Sequence, residues 1–172
     1  MNIEFKFLEK NNQEHYKAKH KWICDENINH LFTPQFVPQK IVPPLLSDML
    51  NHFDDRVTSF HYMIYLDGEI VGDLGVDFDF PMLYNKVPSA WIGITIGEAS
   101  ARGKGVGKKT MQFVEKLALE QGFNRIELGV FEFNQKAIAF YESLGYKRIG
   151  QINDFTFYKG KYHADFRYEK LL

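Results

Sequence analysis

Gly103, Gly105 and Gly107 alternate with Arg102, Lys104, Val106 and Lys108 between the apolar run Ala90–Ile96 and a stretch of helical periodicity. Such a segment carries the main chain through a sharp turn from a strand into a helix, and it leaves consecutive N–H groups facing one point. The helix dipole adds positive potential there, and glycines let a diphosphate approach without side-chain clash. Arg102, Lys104, Lys108 and Lys109 add cations at a helix start, where positive charge is unfavourable unless an anion is bound. The plainer reading is that Gly105 and Gly107 only permit the turn.

Spacing separates three phosphate-binding patterns. Counting five on from Gly103 reaches Lys108, but Gly107-Lys108 is followed by Lys109, so the GxxxxGK[ST] pattern fails by one residue. The dinucleotide pattern GxGxxG fails because the glycines fall at 103, 105 and 107. Arg102, Gly105 and Gly107 satisfy a third, Q/R-x-x-G-x-G/A.

The rest of the chain reads as a mixed α/β domain, 1–172, without internal repeats. Ile3, Phe5 and Phe7 alternate with polar residues as a first strand, residues 11 to 24 read as a helix, Phe32–Pro44 as a proline-rich loop, and Leu45–Arg56 as a second helix. Phe60–Leu66 and Glu69–Phe80 flank Asp67-Gly68, a dipeptide suited to a type I′ hairpin turn. In the returning strand Leu74, Val76 and Phe78 form an apolar face, and Asp73, Asp77 and Asp79 an acidic one. The nearly continuous apolar run Ala90–Ile96 predicts a strand buried on both sides. After it come an amphipathic helix stopped by Gly122, a strand over residues 125–131, a short helix with Asn134 as N-cap and Gly145 as its stop, and two strands broken at Lys159-Gly160-Lys161.

Charge and composition narrow the function. Twenty-one Lys plus Arg against 22 Asp plus Glu leave a net charge of -1, so the chain as a whole does not attract phosphate backbones or anionic lipid, and neither nucleic acid nor a membrane is expected as partner. Met1–Lys10 lacks the apolar run of a signal peptide, and no stretch approaches the ~18 apolar residues of a membrane span. A soluble, cytoplasmic protein is expected. The single cysteine, Cys24, excludes an intrachain disulfide and a cysteine-cluster zinc site, and His15, His20, His30, His52, His61 and His163 show no metal-ligand spacing, so no metal is expected.

From about residue 60 onward the chain resembles the GNAT superfamily of N-acetyltransferases. Two motifs carry the resemblance: the Q/R-x-x-G-x-G/A loop, and Asn134, Ala137, Phe140, Tyr141, Gly145 and Tyr146, which follow the family's N-x-x-A-x-x-F/L-Y-x-x-x-G-F except for Tyr at the last position. The resemblance implies the GNAT fold, a central mixed sheet with helices on both faces, and acetyl-CoA as co-substrate. It implies a pyrophosphate site at Arg102, Gly103, Lys104, Gly105, Val106, Gly107 and Lys108. The pantetheine arm would lie between the splayed strands Ala90–Ile96 and Arg125–Phe131, with contacts from Asn134 and Ala137, and backbone N–H groups around Ile94, Thr95 and Ile96 would face the thioester oxygen. Tyr141 takes the family's role of general acid toward the departing thiolate. The acetyl group moves to an amine by direct attack. Dimerisation is common in the family, and no segment here identifies a dimer face.

The base that deprotonates the amine is open among Glu98, Glu127, Asp73, Asp77 and an ordered water, each carboxylate also reading as an ordinary surface group. Asp73, Asp77 and nearby Tyr84 are candidates for attracting a cationic acceptor, against the plainer reading of a solvated strand face. A non-catalytic acyl-CoA-binding or regulatory module is the alternative function, and a nucleotide-phosphate protein the third.

Overall fold

The computed structural model describes residues 1–39, 41–51 and 56–172. The elements are β1 (Ile3–Phe7), α1 (Gln13–Cys24), α2 (Leu46–Asn51), β2 (Ser59–Leu66), β3 (Glu69–Asp77), β4 (Ala90–Ile96), α3 (Val106–Glu120), β5 (Arg125–Phe131), α4 (Gln135–Ser143), β6 (Lys147–Tyr158) and β7 (Lys161–Leu171). The seven strands form one mixed sheet in the order β1-β2-β3-β4-β5-β7-β6. Among the described residues only the β4–β5 pair runs parallel, joined by α3 as the crossover that a parallel pair requires. The helix expected over 45–56 is described as α2, and residues 52–55 of that stretch lie outside the described residues.

Alternation along the strands sends side chains to opposite faces. Ile64, Leu74, Ile92 and Leu128 join Met111, Val114 and Leu117 of α3 and Tyr141 of α4 in the main core. Met63 points the other way and packs with Trp22 of α1 and with Ile28. Helices therefore cover both faces. The hairpin turn has Asp67 and Gly68 at φ 51 and 90, the left-handed conformations that a type I′ turn requires.

The expected burial on both sides of β4 is not met even in its first half, where Trp91, pointing opposite to Ala90 and Ile92, is only half-buried. Ala90 and Ile92 are buried, whereas Gly93 is exposed and Ile94, Thr95 and Ile96 are half-buried. The reason is register: β4 pairs with β5 only at Ala90↔Ile126, Trp91↔Glu127 and Ile92↔Leu128. β4 runs on to Ile96 paired with β3, and β5 runs on to Phe131 paired with β7. Beyond Ile92 the two parallel strands diverge, and a gap opens in the middle of the sheet.

Candidate active site

A cleft of about 630 Å³ lies along the second half of β4 and in front of α3. Its walls come from Ile94, Thr95 and Ile96 of β4, from Arg102, Gly103, Gly105, Val106, Gly107 and Lys108, and from Asn134, Ala137 and Phe140 at the start of α4. Two sequence motifs, one over 102–107 and one beginning at Asn134, thus meet across one opening.

The floor of the loop is built by backbone geometry. Gly105 is the residue before α3 and has φ 78, a left-handed conformation that strains any residue with a Cβ. The first helical hydrogen bond runs from Lys109 N to Gly105 O (3.1 Å), so the amides of Val106, Gly107 and Lys108 precede the helical ladder. No acidic residue stands in the first turn of α3 to neutralise its dipole. This end of the cleft is suited to a diphosphate. Lys104 and Lys108 are exposed beside it. Arg102 lines the cleft too, but its guanidinium also closes the end of β4: Nε donates to Ile96 O (3.0 Å) and Nη2 to Gly97 O (2.9 Å).

Asn134 caps α4, its Oδ1 accepting from Ala137 N (3.2 Å). Phe140 lines the cleft, while Tyr141 continues the Ala137 stripe by one turn into the core. There the Tyr141 ring lies edge-on to Tyr146 with centroids 5.8 Å apart. Burial pushes its phenol up to about 12, so it stays protonated through the neutral range.

The carboxylates divide by environment. Glu98 accepts from Lys21 Nζ (2.6 Å) and from Trp22 Nε1 (2.9 Å), and these hydrogen bonds hold it below the usual carboxylate range. That makes it a weak proton acceptor and a tie between α1 and the end of β4. Glu127 is not a surface group: it is fully buried, bound by Arg125 Nη2 (2.7 Å) and by the backbone N–H of Tyr84 (2.5 Å). It anchors the 81–88 loop over the sheet.

The acidic face of β3 is likewise not a solvated stripe. Asp77 accepts from Arg56 Nη2 (2.8 Å), Asp73 is ion-paired with Lys19 of α1, and of the three only Asp79 is exposed. Asp73 lines a small chamber that adjoins the cleft at Thr95, whereas Asp77 and Tyr84 line neither. Tyr84 instead lies over Gly150, whose missing Cβ makes room for the phenol ring. The sequence reading missed Asn27, Ile28, Leu31 and Phe32, which close the cleft from the segment after α1, and Lys136 on α4. Among these only the basic Lys136, two residues after the N-cap, carried any signal.

A model of the acetyltransferase (GNAT) family matches residues 25–146, so the chain belongs to that family. An "Uncharacterized N-acetyltransferase in pepI 3'region" of Lactobacillus delbrueckii subsp. lactis is 32% identical over 97 residues, 54% of either chain. The thialysine N-epsilon-acetyltransferase of Sus scrofa is 33% identical over 69 residues, 37% of this chain and 41% of its own. The chain spans about half the length of the curated relatives it matches. Among solved structures, spermidine N-acetyltransferase from Vibrio cholerae in complex with CoA and spermine has a TM-score of 0.77 at 18% identity, covering 98% of this chain and 95% of its own. At that identity the likeness establishes the shared fold.

Proposed function

We propose that the protein transfers the acetyl group of acetyl-CoA to a primary amine of a small molecule or peptide. The observation that carries this reading is the juxtaposition of the cation-rich, amide-lined start of α3 with the divergence of β4 from β5. The pyrophosphate of CoA would take the amides of Val106, Gly107 and Lys108 with Lys104 and Lys108 beside them. The pantetheine arm would lie along Ile94–Ile96, whose edge facing β5 has no strand partner; Ile96 O is taken by Arg102, and the other backbone groups on that edge would bind amides and the thioester oxygen. The names of the relatives, which act on thialysine or spermidine, support an amine acceptor.

In the reaction the acceptor loses one proton to become a neutral amine, and its nitrogen attacks the thioester carbonyl. The C–N bond forms, the C–S bond breaks, the nitrogen loses a second proton to water, and the thiolate takes one from Tyr141, which regains a proton from solvent to close the cycle. Burial keeps the phenol protonated at neutral pH, and it also makes Tyr141 a weaker acid, so the transfer requires the thiolate close to its hydroxyl. Glu98, engaged with Lys21 and Trp22, is the weaker choice for base, and solvent serves that part here.

One observation favours a second reading, a non-catalytic acyl-CoA-binding module: Tyr141 stands in the core and not in the cleft wall. Tyr141→Phe separates the two. Thiol release from acetyl-CoA is measured with spermidine, thialysine and aromatic amines, and acetyl-CoA binding is measured by calorimetry. The enzyme reading predicts turnover in the wild type and a loss of roughly 100-fold or more in the variant, with acetyl-CoA affinity kept. Binding without turnover on any amine supports the module, and an undiminished rate in Tyr141→Phe removes the phenol as acid.

A further inference from the structure

The small chamber that meets the cleft at Thr95 and Phe32 has a volume of about 140 Å³, and Lys19 and Asp73 form an ion pair in its wall. Asp73 stands opposite Thr95 in the β3–β4 register, so its carboxylate lies beside the stretch of β4 assigned to the thioester. Lys19 and Ile23 also line a second, neighbouring chamber of about 480 Å³, walled mainly by Leu8, Tyr16, Pro44 and Met49, with Asp48 and His61 as polar members. Tyr16 is buried at 3% exposure, and among the described residues its hydroxyl finds no hydrogen-bond partner. It precedes Lys19 by three residues on α1, so the two side chains share a face of that helix.

The geometry points to an α-amino acid with a sizeable apolar side chain as the acceptor, its amino group on Asp73, its carboxylate between Lys19 and Tyr16, and its side chain in the larger chamber. This rests on the acetyltransferase reading above. The argument is one of charge. A simple amine entering the small chamber displaces Lys19 from Asp73 and strands the ammonium of Lys19. A simple acid strands Asp73. A zwitterion inserted between them replaces one ion pair by two, and its second carboxylate oxygen accepts from the Tyr16 hydroxyl, which otherwise stays unpaired at a cost. The amine that reacts is then the α-amine: it gives up one proton to solvent before attack and a second as the C–N bond forms and the C–S bond breaks, and the thiolate takes one proton as in the reaction above.

Thiol release is compared for L-phenylalanine, L-phenylalaninamide and phenethylamine, and for L-methionine, its amide and its decarboxylated amine. The expected result is a kcat/KM for at least one of the two amino acids roughly tenfold or more above that of its amide and decarboxylated amine. In Lys19→Met that preference collapses toward one, and Tyr16→Phe raises KM for the amino acid more than it lowers kcat. Both variants should still bind acetyl-CoA, which certifies their folding, and Tyr16→Phe removes no hydrogen bond found among the described residues. Equal or better use of the decarboxylated amines, or a preference that survives Lys19→Met, overturns the inference and leaves the acetyltransferase reading intact. If none of these amines is acetylated, calorimetry of L-phenylalanine and L-methionine with the CoA-bound protein decides: binding weakened by Lys19→Met supports the site, and no binding overturns it. Failure of acetyl-CoA itself to bind overturns both readings.

Discussion

A Cβ placed on Gly107 would come within 3.1 Å of Phe140 Cζ, so the first turn of α3 and the side of α4 approach each other through a glycine. The glycine has an ordinary helical place, and what demands it is the ring. Gly107→Val should push Phe140 into the cleft that it lines, cost about 1–3 kcal/mol of stability, and weaken acetyl-CoA binding at least roughly tenfold. Urea unfolding and calorimetric titration check the two effects separately. Unchanged affinity would show that the cleft in front of α3 does not hold the cofactor.

Glu98 offers a test of the proton path. Held low by Lys21 and Trp22, it serves to tie α1 to the end of β4. In Glu98→Gln the amide oxygen still accepts from Trp22, and kcat should stay within about threefold of wild type across the neutral range. A general base removed by the same change would cost on the order of 100-fold or more and shift the acid limb of the pH profile. Steady-state rates from about pH 6 to 9 distinguish the outcomes.

Asp165 gives a stability signature. It is buried at 3% exposure, and burial raises its carboxyl to about 6 although Arg167 beside it pulls the other way. Between the unfolded and folded values the native state binds more protons than the unfolded chain, so this group's contribution to stability falls as pH rises through about 6. Asp165→Asn abolishes that dependence. The stability of the variant relative to wild type should therefore rise with pH, by on the order of 1 kcal/mol between about pH 5 and 7.5. Urea midpoints at several pH values measure it, and a flat difference would contradict the raised value.

The local parts of the site were legible because their signals are local. The hairpin at Asp67-Gly68, the bounds of β4 and β5, the cap at Asn134 and the glycine loop each rest on residues within a few positions of one another. Long-range relationships were hidden. Alternation on β3 shows that Asp73 and Asp77 share a face, but not that Lys19, 54 residues earlier, lies against Asp73. Glu127 reads as a surface carboxylate until Arg125, itself buried, and the backbone of the 81–88 loop are seen to satisfy it. The apolar run of β4 promises burial on both sides, and only the register with β5 shows that its second half faces a gap. Tyr141 carries the family motif, yet its place in the core depends on Tyr146 and the packing of α4 on the sheet.

The most direct test of the central claim is a calorimetric titration of the protein with acetyl-CoA, with ATP titrated separately under the same conditions. The start of α3 and the gap between β4 and β5 together predict micromolar binding of acetyl-CoA, weakened in Gly107→Val, and no comparable binding of ATP. Binding of ATP alone would contradict the account and leave the glycine loop as a nucleotide site.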